Sequence, residues 1–176
     1  MKRILALAAV VIMSLAASGV LLPQQQSPFV GTWKLNVAKS KFTGEQPPKS
    51  ETRTVVAQGD GLKVTYEGIA ADGSPISYGY ATSLDGKDVP YSGRHPFGSD
   101  TVAIKRVDAN TITAISKKAG KTLYAATAVV SKDGKVLTIT LKGMNGEGQP
   151  ISTTTVWDKQ PVIVDSPIWK TRPNNP

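Results

Sequence analysis

The sequence predicts an all-β fold, an antiparallel up-and-down β-barrel of about eight to ten strands. Turn signals built on glycine recur along residues 58–148, and Asp-Gly and Asn-Gly pairs suit the tight turns of β-hairpins. The runs between these turns are rich in Thr, Val, Ile and Tyr and alternate apolar with polar residues, whereas a helical period is not found beyond Ser27. Successive hairpins make a meander, and a meander that closes on itself hides its two edges.

Nine strands are predicted from these alternating runs. In "LKVTYEG", Leu62, Val64 and Tyr66 share one face, and in "PISYGYA" Tyr78 and Tyr80 share one face in the same way. The predicted strands lie near 30–37, 51–58, 62–69, 75–84, 101–107, 111–117, 121–131, 135–143 and 150–159.

Two terminal segments flank the barrel domain, which spans 27–160. A positively charged start (Lys2 and Arg3) followed by an apolar run predicts a signal peptide at 1–22. An uncleaved membrane anchor is the alternative, and with either segment we expect export to the periplasm or the outside of the cell. Residues 161–176 carry four prolines and are predicted to form an extended, Pro-rich tail.

Composition limits the possible functions. The chain has 176 residues, of which 40% are hydrophobic and 19% charged, and this suits one domain with a substantial core. It has no cysteine, which excludes disulfides, thiol catalysis and cysteine metal sites. The formal net charge of +8 comes from scattered lysines, so we interpret it as a solubility feature and expect no nucleic-acid partner. We expect a monomer with no membrane span once the signal peptide is removed.

Motifs at the two ends of the barrel domain resemble a known superfamily. Gly31-Thr32-Trp33 resembles the Gly-x-Trp signature of the lipocalins and fatty-acid-binding proteins, the calycins, and "STTTVWDKQ" at 152–160 resembles their last strand. The longer "WKLNVAKSKF" resembles small secreted bacterial proteins described as lipocalin-like. The resemblance covers 29–160. It implies a lipocalin-like barrel in which Trp33 plugs the closed end, with Gly31 leaving room for the backbone beside this structural plug.

The sequence departs from the fatty-acid-binding proteins at two places. Those proteins typically hold a ligand carboxylate with an Arg-x-Tyr pair in the last strand, where this chain has Thr155-Val156-Trp157. They also insert two helices after the first strand, and the segment 36–51 contains two prolines and is too short for a helical pair. These departures predict an open-mouthed barrel without the family's carboxylate clamp, which argues against a fatty acid as the ligand.

Five residues are candidate ligand contacts. Tyr66, Tyr78 and Tyr80 alternate onto one face of neighbouring strands, and aromatic rings with polar tips suit amphipathic ligands, although core packing is the other reading. In "TVAIKRVD", Arg106 falls on the same predicted strand face as its apolar neighbours. It would then point into the barrel and need an anionic partner, unless the strand ends there and the side chain turns to solvent. Trp157, at the place of the family's tyrosine, completes the set.

One histidine, His95, lies in "YSGRHPFGSD" at 91–100, which is predicted to be the longest irregular loop. An exposed loop histidine is the first expectation; with Arg94 it could instead bind an anion or act as a base, or it could ligate haem. With no second histidine and most aspartates placed in Asp-Gly turns, no catalytic residue, metal site or cofactor is predicted.

The favoured function is an exported, lipocalin-like protein that binds a small hydrophobic or amphipathic molecule and is not catalytic. The alternative is an interaction module with a filled barrel, which uses its basic surface or the 87–99 loop to bind a protein or an anionic envelope partner. An enzyme on the same barrel is the third hypothesis.

Overall fold

The structure is a computed structural model that describes residues 27–162. The predicted signal peptide at 1–22 and most of the predicted tail lie outside the described residues. The described part forms twelve strands and one short 3-10 helix, Val37–Lys39. The strands are β1 Gly31–Leu35, β2 Lys41–Thr43, β3 Ser50–Gln58, β4 Gly61–Ile69, β5 Pro75–Thr82, β6 Asp85–Pro90, β7 Ser92–Gly93, β8 Thr101–Arg106, β9 Thr111–Lys118, β10 Lys121–Val130, β11 Val136–Met144 and β12 Pro150–Lys159.

All twelve strands belong to one antiparallel sheet. Its order is β6-β8-β9-β10-β11-β12-β1-β3-β4-β5-β7, with β2 paired beside β1 on β12. Pairing of the last strand with the first, with Leu35 opposite Trp157, rolls the sheet into a nearly closed barrel. The two free edges are β6 and β7, which are consecutive in the chain and joined by Tyr91 alone. The predicted all-β, up-and-down antiparallel barrel is confirmed.

The nine predicted strands are all present, and three further strands were not predicted. β2 and β7 have three and two residues, too few to show an alternation. β6 has the sequence DGKDVP, which looks like a turn, and its pairing with β8 shifts register between Asp85 and Asp88. The prediction of a loop at 87–99 is therefore wrong in its first half, and the irregular segment predicted at 91–100 starts only after Gly93, where β7 ends.

The strand registers place the hairpins at two ends of the barrel. Turns at 58–61, 82–85, 106–111 and 130–136 lie at one end, which we call the closed end. The remaining connections lie at the other end, the mouth. The closed end is filled by a hydrophobic core that includes Phe29, Trp33, Val55, Leu62 and Leu137, all of which are almost completely buried.

Trp33 is fully buried (0% exposed) in this closed-end core, and its indole Nε1 donates a hydrogen bond to the Phe29 carbonyl at 2.9 Å. Gly31 also lies close to the side chain of Lys159. A Cβ at Gly31, whose φ is +136°, would lie 2.7 Å from Cε of Lys159. That lysine places Nζ 4.9 Å from the centre of the Trp33 ring, where the ring face attracts a cation.

Candidate ligand-binding cavity

Between the closed-end core and the mouth lies a cavity of about 700 Å³. This volume falls within the range of small-molecule sites, about 300–1,000 Å³. One part of its wall, from β4, β5 and the link between β6 and β7, is aromatic and contains Tyr66, Tyr78, Tyr80 and Tyr91, while Tyr124 of β10 and Trp157 of β12 add rings elsewhere in the lining. The opposite part is aliphatic and comes from β8 to β11: Val102, Ile104, Ile112, Ala114, Ile139 and Leu141. The barrel interior is therefore not filled with side chains.

The predicted tyrosines are brought together on the aromatic wall. Period-2 alternation turns Tyr66 on β4 and Tyr78 on β5 inward at opposite positions, and their rings stack with centres 4.5 Å apart and planes 7° apart. Tyr80 follows on the same face of β5 and is buried. Trp157 meets Tyr66 edge-on at 6.1 Å. Four of the five candidate contacts thus line one cavity, and their role in binding stays a prediction.

The fifth candidate, Arg106, was placed wrongly. It is exposed and does not line the cavity, although Val102 and Ile104 before it are buried. β8 ends at Arg106, where the backbone N–H turns to the carbonyl of Leu84 in the neighbouring closed-end turn. Arg106 is still paired with Ile112, but it is the last residue of β8 at the closed end, so its side chain lies in solvent, as the alternative reading expected.

The arginine inside the barrel is Arg53, which the sequence analysis missed. It is 1% exposed, and it lies in β3 between Glu51 towards the mouth and Val55 in the closed-end core, all on the same face. Its partners in the sheet are Trp33 and Tyr66. Because Arg53 lines the cavity and Val55 does not, the guanidinium lies at the cavity floor. Arg53 and Val55 are two residues apart in "SETRTVV" and therefore share one face of the strand, which was the sequence signal for an inward-pointing arginine.

The charge of Arg53 has few partners. Its guanidinium carbon lies 5.4 Å from the centre of the Tyr66 ring. Within residues 27–162 it takes part in none of the ion pairs, and its Nε is buried without a hydrogen-bond partner. Burial raises the pKa of Tyr66 and Tyr78 well above 10, so both phenols are neutral and supply no counter-charge. Arginine stays protonated at all relevant pH values. The cavity floor is therefore positive.

Two carboxyl groups lie between Arg53 and the mouth. Burial raises the pKa of Glu51 to about 7, against the smaller opposing effect of a hydrogen bond from the Tyr78 hydroxyl at 3.4 Å. Burial also raises the pKa of Glu45, which accepts a hydrogen bond from Oγ1 of Thr153. At pH 7 Glu51 is close to half protonated, so it neutralises the charge of Arg53 only in part.

His95 is not an exposed loop residue. It is 6% exposed and lines the cavity near the mouth, with ring centres 4.5 Å from Tyr91 and 4.8 Å from Tyr78. Its Nδ1 accepts a hydrogen bond from the Phe97 N–H at 3.1 Å, so the neutral ring carries its proton on Nε2, which donates to the Tyr124 hydroxyl at 3.0 Å. Burial lowers the pKa of His95 to about 3.

The loop prediction failed at His95 because a distant contact orders this segment. The N–H of Gly146, in the turn between β11 and β12, donates to the Phe97 carbonyl at 2.8 Å, which draws residues 94–98 across the mouth. Nothing in the local sequence encodes that contact. Since both ring nitrogens are used within the protein, ligation of haem by His95 would first require the bond to Tyr124 to break.

Metal ligands do not cluster in this part of the chain: residues 27–162 contain no group of three or more His, Cys, Asp or Glu side chains placed to hold an ion. In the same range, no helix has the length and apolar character needed to cross a membrane.

No protein-family profile and no curated protein matches the sequence. Several solved structures are similar to it in fold. Zebrafish ileal bile acid-binding protein, solved with cholic acid, is 14% identical over 76% of this chain and 100% of its own, with a TM-score of 0.47. Rv2717c from M. tuberculosis is 17% identical over 77% of this chain and 94% of its own, with a TM-score of 0.46. Lobster apocrustacyanin A1 is 14% identical over 80% of this chain and 66% of its own, with a TM-score of 0.41.

Proposed function

We propose that the protein is a binding protein for a small amphipathic molecule, which it holds inside the barrel without transforming it. The observation that carries the proposal is the cavity of about 700 Å³, with its aliphatic wall facing an aromatic wall. Apolar surface on both sides favours a ligand with a hydrophobic body, and the phenol groups suit a ligand with a polar part. The only histidine is a poor general base at neutral pH because burial lowers its pKa to about 3.

The first test is titration with N-phenyl-1-naphthylamine, a neutral apolar probe whose fluorescence rises in an apolar site. The wild-type protein should bind it with saturation at one site. Ala126→Phe should weaken binding about tenfold or more, because Ala126 lines the cavity and a phenyl ring there occupies the ligand's space. Ala125→Phe is the matched control, since Ala125 is the exposed neighbour on the outer face of β10.

Equal binding by the two alanine variants, or no saturable binding by the wild type, would contradict the proposal. Native mass spectrometry of protein purified from its own host, followed by extraction, would then identify what occupies the site. A filled-barrel interaction module is not favoured, because its premise of a packed interior does not agree with the cavity.

Export is a further part of the proposal, and it is supported by the sequence of residues 1–22 alone. Fractionation of host cells should recover the protein outside the cytoplasm, with a mass that lacks this segment. Full-length protein in the cytoplasmic fraction would contradict export and leave the binding proposal untouched.

A further inference from the structure

We propose that the ligand carries an anionic head group and that this group binds the Arg53 guanidinium at the cavity floor, so that the ligand enters with its head first. The proposal rests on the proposed function, because it names the class of molecule that the cavity takes.

The first argument is the state of Arg53 itself. A buried guanidinium is unfavourable unless an anion or several hydrogen bonds compensate for the water that it loses. In the described part of the chain Arg53 has no ion pair, and its Nε is buried with no partner. The contact with the Tyr66 ring offsets this loss only in part, since a ring face attracts the cation but accepts no strong hydrogen bond from it. An anion from outside the protein would complete the site.

The second argument is the position of Arg53. The guanidinium faces the cavity and not the tightly packed closed-end core, so there is room beside it for a carboxylate, sulfonate or phosphate. A planar guanidinium can bind two oxygens of such a group at once. The aliphatic residues of β8 to β11 lie across the cavity and would hold the hydrophobic tail. Charge and apolar surface are thus arranged for an amphipathic anion.

The third argument concerns Glu51, which lies on the same strand face as Arg53 and nearer the mouth. When Glu51 is ionised it offers Arg53 an internal counter-charge and repels an entering anion, and when it is protonated it does neither. The other ionisable groups facing this pair are Glu45, Tyr66, Tyr78 and Tyr80. Burial keeps Tyr66 and Tyr78 neutral and raises the pKa of Glu45 as well. Anion binding should therefore weaken as pH rises through about 7, where Glu51 titrates.

The test compares decanesulfonate with decanol, two probes that share a ten-carbon tail and differ in charge. Both are measured at pH 6 by displacement of N-phenyl-1-naphthylamine. The wild type should bind the sulfonate about tenfold to a hundredfold more tightly than the alcohol, as expected for a hydrogen-bonded charge pair. Arg53→Met should abolish this preference, measured as the ratio of the sulfonate and decanol affinities within the variant. Arg53→Lys should restore part of it, and Arg106→Met, which removes an exposed arginine, should leave it intact.

Each outcome separates the two proposals. If the neutral probe binds and the wild type does not prefer the sulfonate, or if Arg53→Met keeps the preference, the anionic head group is refuted and the binding function stands. If the neutral probe does not bind to the wild type, the proposed function itself fails. For the pH dependence, sulfonate affinity should fall about tenfold between pH 6 and pH 8.5 in the wild type and stay constant in Glu51→Gln. Equal pH profiles for the two proteins would refute the role of Glu51.

Discussion

The closed end and the cavity floor lie next to each other on the same strands, yet the side chains there differ in kind. At the closed end Trp33, Phe29 and Leu137 fill the interior, and the buried indole N–H has its partner in the Phe29 carbonyl. Opposite Trp33 on the neighbouring strand β3, Arg53 is equally buried, but it has a polar atom without a partner and borders the cavity. A closed set of contacts is typical of a structural core, whereas unsatisfied groups beside a cavity are typical of a site that something else completes.

The largest effect is expected from Trp33→Ala at the closed end. Removing a fully buried indole from a packed core should lower the free energy of unfolding by about 3–5 kcal/mol. Urea denaturation followed by circular dichroism measures this loss. Leu123→Ala, at a half-buried position that is not part of the closed-end core, should have a much smaller effect. A loss below about 1 kcal/mol for Trp33→Ala would show that the closed end does not hold the barrel together.

The next largest effect is a pH dependence of the unfolding free energy, which comes from Glu51 on the mouth side of Arg53. The folded-state pKa of Glu51, about 7, lies above its unfolded value of 4.5, so folding favours the protonated form. Its stability contribution is complete below pH 4.5 and is lost as pH rises through 7. One pKa unit is about 1.4 kcal/mol, so the total loss is on the order of 3 kcal/mol.

The measurement is the difference in unfolding free energy between Glu51→Gln and the wild type from pH 4 to pH 8.5. This difference should grow between pH 4.5 and about 7 and then level off. His95, with a pKa lowered to about 3, destabilises the folded state as pH falls below 6.5, but it does so in both proteins and cancels in the difference. A difference that is flat over this range would mean that Glu51 is not buried as described.

The smallest effect has the opposite sign to the first. Arg53→Met should raise the free energy of unfolding of the ligand-free protein by about 1–2 kcal/mol, because it removes a buried charge without an ion-pair partner among the described residues. Thermal unfolding of delipidated protein provides the measurement, and Arg106→Met should change stability by less than about 0.5 kcal/mol. If Arg53→Met were as destabilising as Trp33→Ala, Arg53 would be a structural residue and the contrast between the two regions would disappear.

The sequence was sufficient wherever the fold depends on local pattern. Alternation placed nine of the twelve strands and turned Tyr66, Tyr78 and Tyr80 to the inside, because a period of two persists as long as a strand continues. The same argument failed at Arg106, where the strand ends, and would have succeeded at Arg53, which shares its face with Val55.

Features that depend on distant contacts could not be predicted. The burial of His95 follows from the hydrogen bond between Gly146 and Phe97 across the mouth, and these residues are far apart in sequence. The closeness of Gly31 to the Lys159 side chain is a second example, because Lys159 comes near Gly31 only after the last strand has paired with the first. In both cases the local residues are compatible with other arrangements, and closure of the barrel selects one.

Tyr91 joins the two unpaired margins of the sheet, and no ladder of backbone hydrogen bonds links β6 directly to β5. The barrel can widen at the gap between these two margins, whereas widening it between paired strands would break a run of inter-strand hydrogen bonds. Tyr91 is tied to β9 at the margin of this gap by the hydrogen bond between its hydroxyl and Oγ of Ser116 at 3.0 Å, so widening the gap would disturb this contact.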